Sequence, residues 1–327
     1  MLEHGGKLRA AAMRYSIAHE EWVDISTGVN PRGWPVPAVP PEVWRRLPEA
    51  EDGLTDAAIN YYGSPMILPT AGSQPVIQLL PHLRPACRVG LLSPSYAEHA
   101  YAWRGHQLVG LEFNTIDMKL DDLDVLVLCN PNNPTGHRFA PSTLLGWRQR
   151  LAQRGGWLVV DEAFADATPE ISIASHAGLP GLVVLRSMGK FFGLAGARVG
   201  FVLAWGALLS RIAEELGPWS VNGPARWVAT RALQDSAWQQ TARQNLVIDS
   251  NRLADLLEKH KLTPSGATAL FQWVISPYAQ QLHESLAKQG ILTRYFDSPK
   301  SVRFGMPCPE KEWLRLETAL QKFQDIA

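Results

Sequence analysis

The chain is predicted to be an α/β protein built on a buried, mostly parallel sheet, with a smaller α+β domain after it. Between residues 88 and 203 one rhythm recurs: a short run rich in Val and Leu, a turn of Pro, Gly, Asn or Asp, then an amphipathic stretch. That succession is the signature of βαβ units. The runs are apolar throughout rather than alternating, as strands covered on both faces require. Past Trp205 the rhythm changes to long helical patterns and then to short alternating runs. At roughly 150 residues per domain, 327 residues suggest two domains, and 46% hydrophobic with 19% charged residues is ordinary for a folded soluble protein.

In chain order, strands of the parallel sheet are expected over 88–92, 125–129, 157–160, 182–185 and 199–203, with helices over 74–83, 97–104 and 142–153. The second region predicts helices over 208–216 and 224–259, then short strands over 269–274, 291–295 and 302–304. A last helix over 311–323 places Trp313, Leu316, Leu320 and Phe323 on one face. The first 35 residues, rich in Gly and Pro over 28–37, are grouped with the second region. The expected division is therefore 36–210 for the large domain, and 1–35 with 211–327 for the small one.

Charge excludes some functions. Lys and Arg number 31 and Asp and Glu 31, so the net charge is zero and no basic field draws the protein to nucleic acid or an anionic membrane. Cys87, Cys129 and Cys308 are far apart and odd in number, which excludes a disulfide framework or a CxxC zinc site and suits a reducing compartment. Residues 1–15 lack a signal-peptide core and no apolar run approaches the ~18 residues that span a bilayer. The expected location is the cytoplasm, with no metal, membrane or nucleic-acid partner.

The informative residues follow the ends of expected strands, where open α/β sheets bind ligands. After Cys129 comes NPNNPTG (130–136), a turn that sets the amide of Asn133 at the sheet edge. After Val160 come Asp161, Glu162, Ala163 and Phe164; a buried carboxylate at Asp161 calls for a positive partner, unless it caps a helix. After Leu185 comes SMGKFFGLAGAR (187–198). Lys190, next to Phe191 and Phe192, is expected to be desolvated, which lowers an amine's pKa and favours Schiff-base chemistry. Ser187 adds a hydroxyl and Arg198 a planar fork suited to phosphate. A Walker A reading fails, since Val184 stands for its first Gly and Phe191 for its Ser or Thr. Gly72 and Ser73 open a helix and form a candidate anion site, and Tyr96 offers an aromatic face to a planar ligand.

Together these groups suit one ligand: planar, aromatic and phosphorylated, with an aldehyde for Lys190 and a basic ring nitrogen for Asp161. Pyridoxal phosphate has all of these features. On NPNNPTG, DEAF and SMGKFFGLAGARVG the chain resembles the fold-type I pyridoxal phosphate enzymes, three-layer proteins with a mostly parallel sheet, in the branch of histidinol-phosphate aminotransferase. The resemblance implies that Lys190 holds the cofactor covalently and that Asp161 keeps its ring nitrogen protonated. Asn133 would bond the ring hydroxyl, Tyr96 stack on the ring, and Gly72, Ser73, Ser187 and Arg198 hold the phosphate. Arg303 matches an arginine that grips the substrate carboxylate.

The opening His4-Gly5-Gly6, then DISTGVNP (24–31) and Gly33, is similar to that of the threonine-phosphate decarboxylases of cobalamin biosynthesis, which commonly read HGG and DFSxNINPLG. Gly28 stands where many members have Asn. Phe164 replaces a Tyr usual in the aminotransferases of the branch, and Leu47 replaces a Tyr that in relatives reaches the neighbouring subunit's cofactor phosphate. This resemblance implies decarboxylation of L-threonine O-3-phosphate, a small phosphorylated amino acid, to (R)-1-amino-2-propanol O-2-phosphate by a homodimer. Substrate contacts are expected from His4, Gly5, Gly28, Asn133, Arg294 and Arg303, and Arg32 is either a further cation or a solvated loop residue. A histidinol-phosphate-type aminotransferase, which shares every cofactor residue, is the alternative.

Overall fold

In the computed structural model, which describes residues 3–324, the chain divides into two units. The larger comprises Gly33–Asn133 and Arg138–Gln240; the smaller comprises the segment up to Arg32, Pro134–His137 and the chain from Thr241 onward. The larger unit thus runs past residue 210 and takes in the helices Gly206–Leu216 and Gly223–Gln234. Amphipathic periodicity shows that a helix has an apolar face, not which sheet it covers. Here Leu208 and Ile212 join the core of the large sheet, and Gly223–Gln234 packs on Leu54–Tyr62.

A two-residue strand, β1 (Val23–Asp24), comes first in the chain. The large sheet follows, made of β2 (Ile67–Thr70), β3 (Arg88–Leu92), β4 (Gln107–Leu111), β5 (Val125–Cys129), β6 (Trp157–Asp161), β7 (Leu182–Ser187) and β8 (Gly200–Ala204). Its order is β2-β8-β7-β6-β5-β3-β4. All pairings are parallel except those of β8, which is antiparallel to β7 and β2. β8 therefore departs from the expected all-parallel set. An apolar run reports burial on both faces but not direction, and the connection 188–199 holds only a 3-10 turn, Ala195–Ala197, instead of a crossover helix. The edge strands β2 and β4 carry Pro69 and several exposed residues, so an apolar-run criterion passes over both.

The sheet is covered on both sides. Val89, Val127, Val159, Val183 and Val202 form one cluster with Val76, Ile77, Leu80, Trp103 and Leu208 from helical segments. The alternate residues Leu126, Leu128, Leu158, Val160 and Val184 are also fully buried, with Pro141–Ala152 packed against β6 and Leu54–Tyr62 against β2.

The smaller unit contains β9 (Gly266–Thr268), β10 (Phe271–Ile275), β11 (Ile291–Leu292), β12 (Arg294–Asp297) and β13 (Lys300–Gly305). An antiparallel sheet has the order β12-β13-β10-β9, while β1 pairs with β11 in parallel. Several expected elements are divided. The run 291–295 breaks at Thr293, and 269–274 begins in the turn that joins β9 to β10. The helical pattern 224–259 is two helices, Gly223–Gln234 and Ser236–Lys259, because Asp235 stops the first and caps the second by accepting the Trp238 N–H at 3.0 Å. The N-terminal segment also holds a helix, Leu8–Tyr15, that its composition does not signal. The last helix, Glu310–Gln324, buries Trp313, Leu316 and Leu320 with Phe323 beside them, as its periodicity requires.

That face makes a direct test. Leu316→Ala removes a fully buried side chain and is expected to cost about 2–5 kcal/mol of stability, whereas Leu314→Ala, 57% exposed, should change it by less than about 0.5 kcal/mol. Urea unfolding midpoints check this, and similar losses in both variants would contradict the assigned face.

Candidate functional site

A cavity of about 140 Å³ in the larger unit is lined by Ser73, Gln74, Tyr96, Cys129, Asn133, Asp161, Ala163, Phe164, Ser187, Lys190 and Arg198. Its lining follows the strand order. Ser73 comes after β2, Arg198 before β8, Ser187 and Lys190 at and after β7, Asp161 at the end of β6, Asn133 after β5 and Tyr96 after β3. The reversed direction of β8 produces this neighbourhood. Thr70 and Ser187 both stand in register with Gly200, so the start of β8 lies between the carboxyl ends of β2 and β7. An arginine just before a strand thereby joins residues that follow two others.

Gly72 belongs to the same corner. A Cβ there would lie 2.6 Å from an Arg198 guanidinium nitrogen, and its φ of +80° favours glycine. Ser73 stands at the start of Gln74–Leu79 and its hydroxyl makes no capping bond. Ser187 Oγ accepts the Gly189 N–H at 3.2 Å. Arg198 itself is exposed. Two hydroxyls, a guanidinium and a closely approached backbone suit a phosphate.

At the other end is Asp161, only 4% exposed. Oδ1 accepts the Ala163 N–H at 3.0 Å, and Oδ2 lies 3.0 Å from His99 Nε2. Each carboxylate oxygen has a second lone pair, which leaves capacity for a further donor such as a ring nitrogen. His99 is a residue beside the cavity that the sequence reading misses, although its place three residues after Tyr96 in a helix was a usable signal. Burial by itself would lower its imidazole, but hydrogen bonds and charge from Asp161 and Cys129 outweigh that and raise it from 6.5 to about 10. A protonated His99 thus meets the demand for a cation beside Asp161. Tyr96 is also pushed above its ordinary value, by burial and then by Asp161.

The three asparagines of NPNNPTG do different things. Asn130 bonds both the N–H and the carbonyl of Phe139, closing the turn. Asn132 accepts from Ser95 Oγ at 2.8 Å and donates to the Pro94 carbonyl at 2.9 Å, tying this turn to the loop before Tyr96. Asn133 lines the cavity. Lys190 is half-buried rather than fully desolvated, its ammonium 5.2 Å from the centre of the Phe164 ring, while Phe191 and Phe192 are fully buried.

The remaining expected residues lie in the smaller unit. His4, Gly5 and Arg294 line one cavity there, together with Ser26. A Cβ on Gly5 would sit 2.4 Å from the Ser26 carbonyl oxygen, and the Gly6 N–H donates to Ser26 Oγ at 2.7 Å. The HGG turn is thus seated on the DISTGVNP segment, within which Gly28 is buried. Arg303, 5% exposed, donates to the Ser26 carbonyl at 2.7 Å. Arg294 stands in register with Arg303 on the adjacent strand and donates to the Glu3 carbonyl at 2.7 Å. Arg32 is paired with Asp249.

Residues 48–322 match the family model described as aminotransferase class I and II. The chain is 53% identical to the threonine-phosphate decarboxylase of Pseudomonas aeruginosa, covering 100% of this chain and 99% of that one. It is 39% identical to the threonine-phosphate decarboxylase of a Sinorhizobium species over 98% of each. The solved structure of histidinol-phosphate aminotransferase from Sinorhizobium meliloti in complex with pyridoxal-5'-phosphate superposes with a TM-score of 0.84, at 22% identity, covering 100% of this chain and 96% of that one. At that identity the likeness concerns the fold.

The His99 contact carries a pH test. With the imidazole raised from 6.5 to about 10, the folded chain holds a proton through this window that the unfolded chain releases. Stability should therefore fall as pH rises across it, by up to about 1.4 kcal/mol per unit. His99→Asn should flatten this slope in urea unfolding measured across the window; parallel profiles in the two proteins would remove the charge from His99.

Proposed function

This chain belongs to the aminotransferase class I and II family, and within it we propose that it decarboxylates L-threonine O-3-phosphate to (R)-1-amino-2-propanol O-2-phosphate with pyridoxal phosphate. The carrying observation is the single cavity that gathers Lys190, Asp161, Asn133, Tyr96, Ser73, Ser187 and Arg198, in a chain with a full-length relative of that name. The donor set fits the cofactor: an amine for its aldehyde, a carboxylate for its ring nitrogen, an amide for its hydroxyl, and hydroxyls with a guanidinium for its phosphate. When bound, pyridoxal phosphate supplies an electron sink for the pair left on Cα when a bond to it breaks.

The protein's own groups do the rest. Lys190 Nζ holds the cofactor and returns a proton to Cα once carbon dioxide has left. Asp161 would keep the ring-nitrogen proton in place, and the His99 imidazolium together with the Ala163 N–H holds Asp161 in orientation. We assign the substrate carboxylate to Arg303 and the substrate phosphate to His4 and Arg294, with Gly5, Gly28 and Asn133 shaping the contacts. Two arginines directly opposite on neighbouring strands repel one another; the Glu3 carboxylate, 3.4 Å from Arg294, offsets part of that repulsion, and a substrate anion would offset more. A substrate held at both ends has its Cα–carboxylate torsion set, and the bond aligned with the acceptor's π system is the one that breaks.

The same reading includes a homodimer in the cytoplasm, serving cobalamin's nucleotide loop through the amino-alcohol phosphate. Trp44, Leu47 and Trp219 are 67%, 65% and 58% exposed on the larger unit. All three cysteines are free, and among the described residues no helix is long and apolar enough to cross a membrane.

Carbon dioxide release from O-phosphothreonine, without added keto acid, is the expected activity. Unphosphorylated threonine should be a far poorer substrate, and Arg303→Ala should lose about 100-fold or more in kcat/KM. Glutamate-dependent amino transfer to the keto partner of histidinol phosphate, without carbon dioxide from O-phosphothreonine, would establish the aminotransferase alternative instead. Independently, borohydride reduction of the yellow protein followed by peptide mapping should place the pyridoxyl group on Lys190 alone, and Lys190→Ala should abolish the label while the protein still folds.

A further inference from the structure

Behind the cavity, on the other side of the same strand ends, lies a group of buried charges that the proposed reaction does not use. Arg186 is 2% exposed and Glu162 and Asp166 are fully buried. Arg186 donates to Glu162 Oε2 at 2.5 Å and also to Asp166 Oδ1. Glu162 accepts further from the Ser172 hydroxyl at 2.5 Å and the Ile173 N–H at 2.8 Å. The guanidinium lies 4.7 Å from the centre of the Tyr62 ring. Burial opposes the charge on Arg186, but the two carboxylates outweigh it and push its pKa up.

Position gives this group its meaning. Side chains alternate faces along a strand, so Asp161 and Ser187 face the cavity while their neighbours Glu162 and Arg186 face away from it. The Glu162 N–H still bonds the Leu185 carbonyl at 2.9 Å, which continues the β6–β7 ladder past Asp161. Phe164, beneath Lys190, lies in the chain between the two carboxylates that Arg186 holds. One guanidinium thus fastens the backbone on both sides of Phe164 and joins the ends of the two strands that carry Asp161 and Ser187. Stability alone does not account for such a group, since buried ion pairs are often replaced by apolar residues without loss.

We propose that Arg186, Glu162 and Asp166 are positioning residues, which hold Asp161, Phe164 and the Ser187–Lys190 segment in the geometry the site needs. The inference rests on pyridoxal phosphate binding at Lys190, not on which reaction follows.

The test is the neutral triple variant Glu162→Gln/Asp166→Asn/Arg186→Met, which leaves no lone buried charge, alongside Arg186→Lys, whose single ammonium cannot reproduce the fork between two carboxylates. Both are measured as holoenzymes loaded with pyridoxal phosphate. A misplacement of about 1 Å costs on the order of 100-fold in rate. The folded triple variant should therefore lose roughly 10- to 100-fold in kcat for carbon dioxide release from O-phosphothreonine, with KM changed less than about two-fold. The visible circular dichroism of the bound cofactor should weaken in parallel, and Arg186→Lys should fall between wild type and triple variant in both. Wild-type kcat and wild-type circular dichroism in a folded triple variant would overturn the proposal, and if that variant does not fold, Arg186→Lys decides by the same two readouts. The dichroic band is recorded before substrate is added, so failure of the decarboxylase reading and failure of this inference are separate outcomes.

Discussion

A carboxylate at the end of a strand buried on both faces has to be met by donors and by positive charge, and much of the larger unit is arranged around that requirement at Asp161. His99 and the Ala163 N–H meet it, one from the helix after β3 and the other from the turn after β6. A protonated His99 in turn needs an anion beside it, which Asp161 supplies, and Cys129 at the end of β5 lies within reach of the same imidazole. Three adjacent strand ends are therefore coupled through a cluster whose polar atoms lie within 4.8 Å of one another.

The second constraint is direction within the sheet. Were β8 parallel to β7, its first residues would lie at the opposite edge and Arg198 would be far from Ser73 and Ser187. Because β8 runs the other way between β2 and β7, its start falls among their ends. Gly72 admits the arginine by having no Cβ to obstruct it. The corner of Gly72, Ser73 and Arg198 and the corner of Asp161 are then separated along one edge of the sheet by Lys190.

The smaller unit holds its charges differently. Arg294 and Arg303 are paired across antiparallel strands and anchored to backbone carbonyls of Glu3 and Ser26. Arg294 is also paired with the Glu3 carboxylate at 3.4 Å. The N-terminal segment that supplies both carbonyls also supplies His4, and its glycines let it lie close against Ser26.

Much of this was legible in the chain itself. Five central strands, the terminal amphipathic helix and every residue of the cofactor cavity named from the sequence follow from local pattern: uninterrupted Val and Leu runs, turn residues after them, and polar side chains where the runs end. Those features are local because burial and turn chemistry act over a few residues. Strand direction is not local, and β8 shows it, since an apolar run looks the same whichever way it points. Nor is the choice of which sheet a helix covers, as Gly206–Leu216 illustrates. Arg186 was also out of reach as a candidate, because a guanidinium in a sequence carries no record of the carboxylates it will meet, whereas His99 could be placed near Tyr96 by helical spacing but not beside Asp161. The sequence by itself determined which residue types stand at the ends of the strands; only the tertiary structure decided which ends are neighbours and which buried charges find each other, because strand order and charge pairing are set by contacts between segments far apart in the chain.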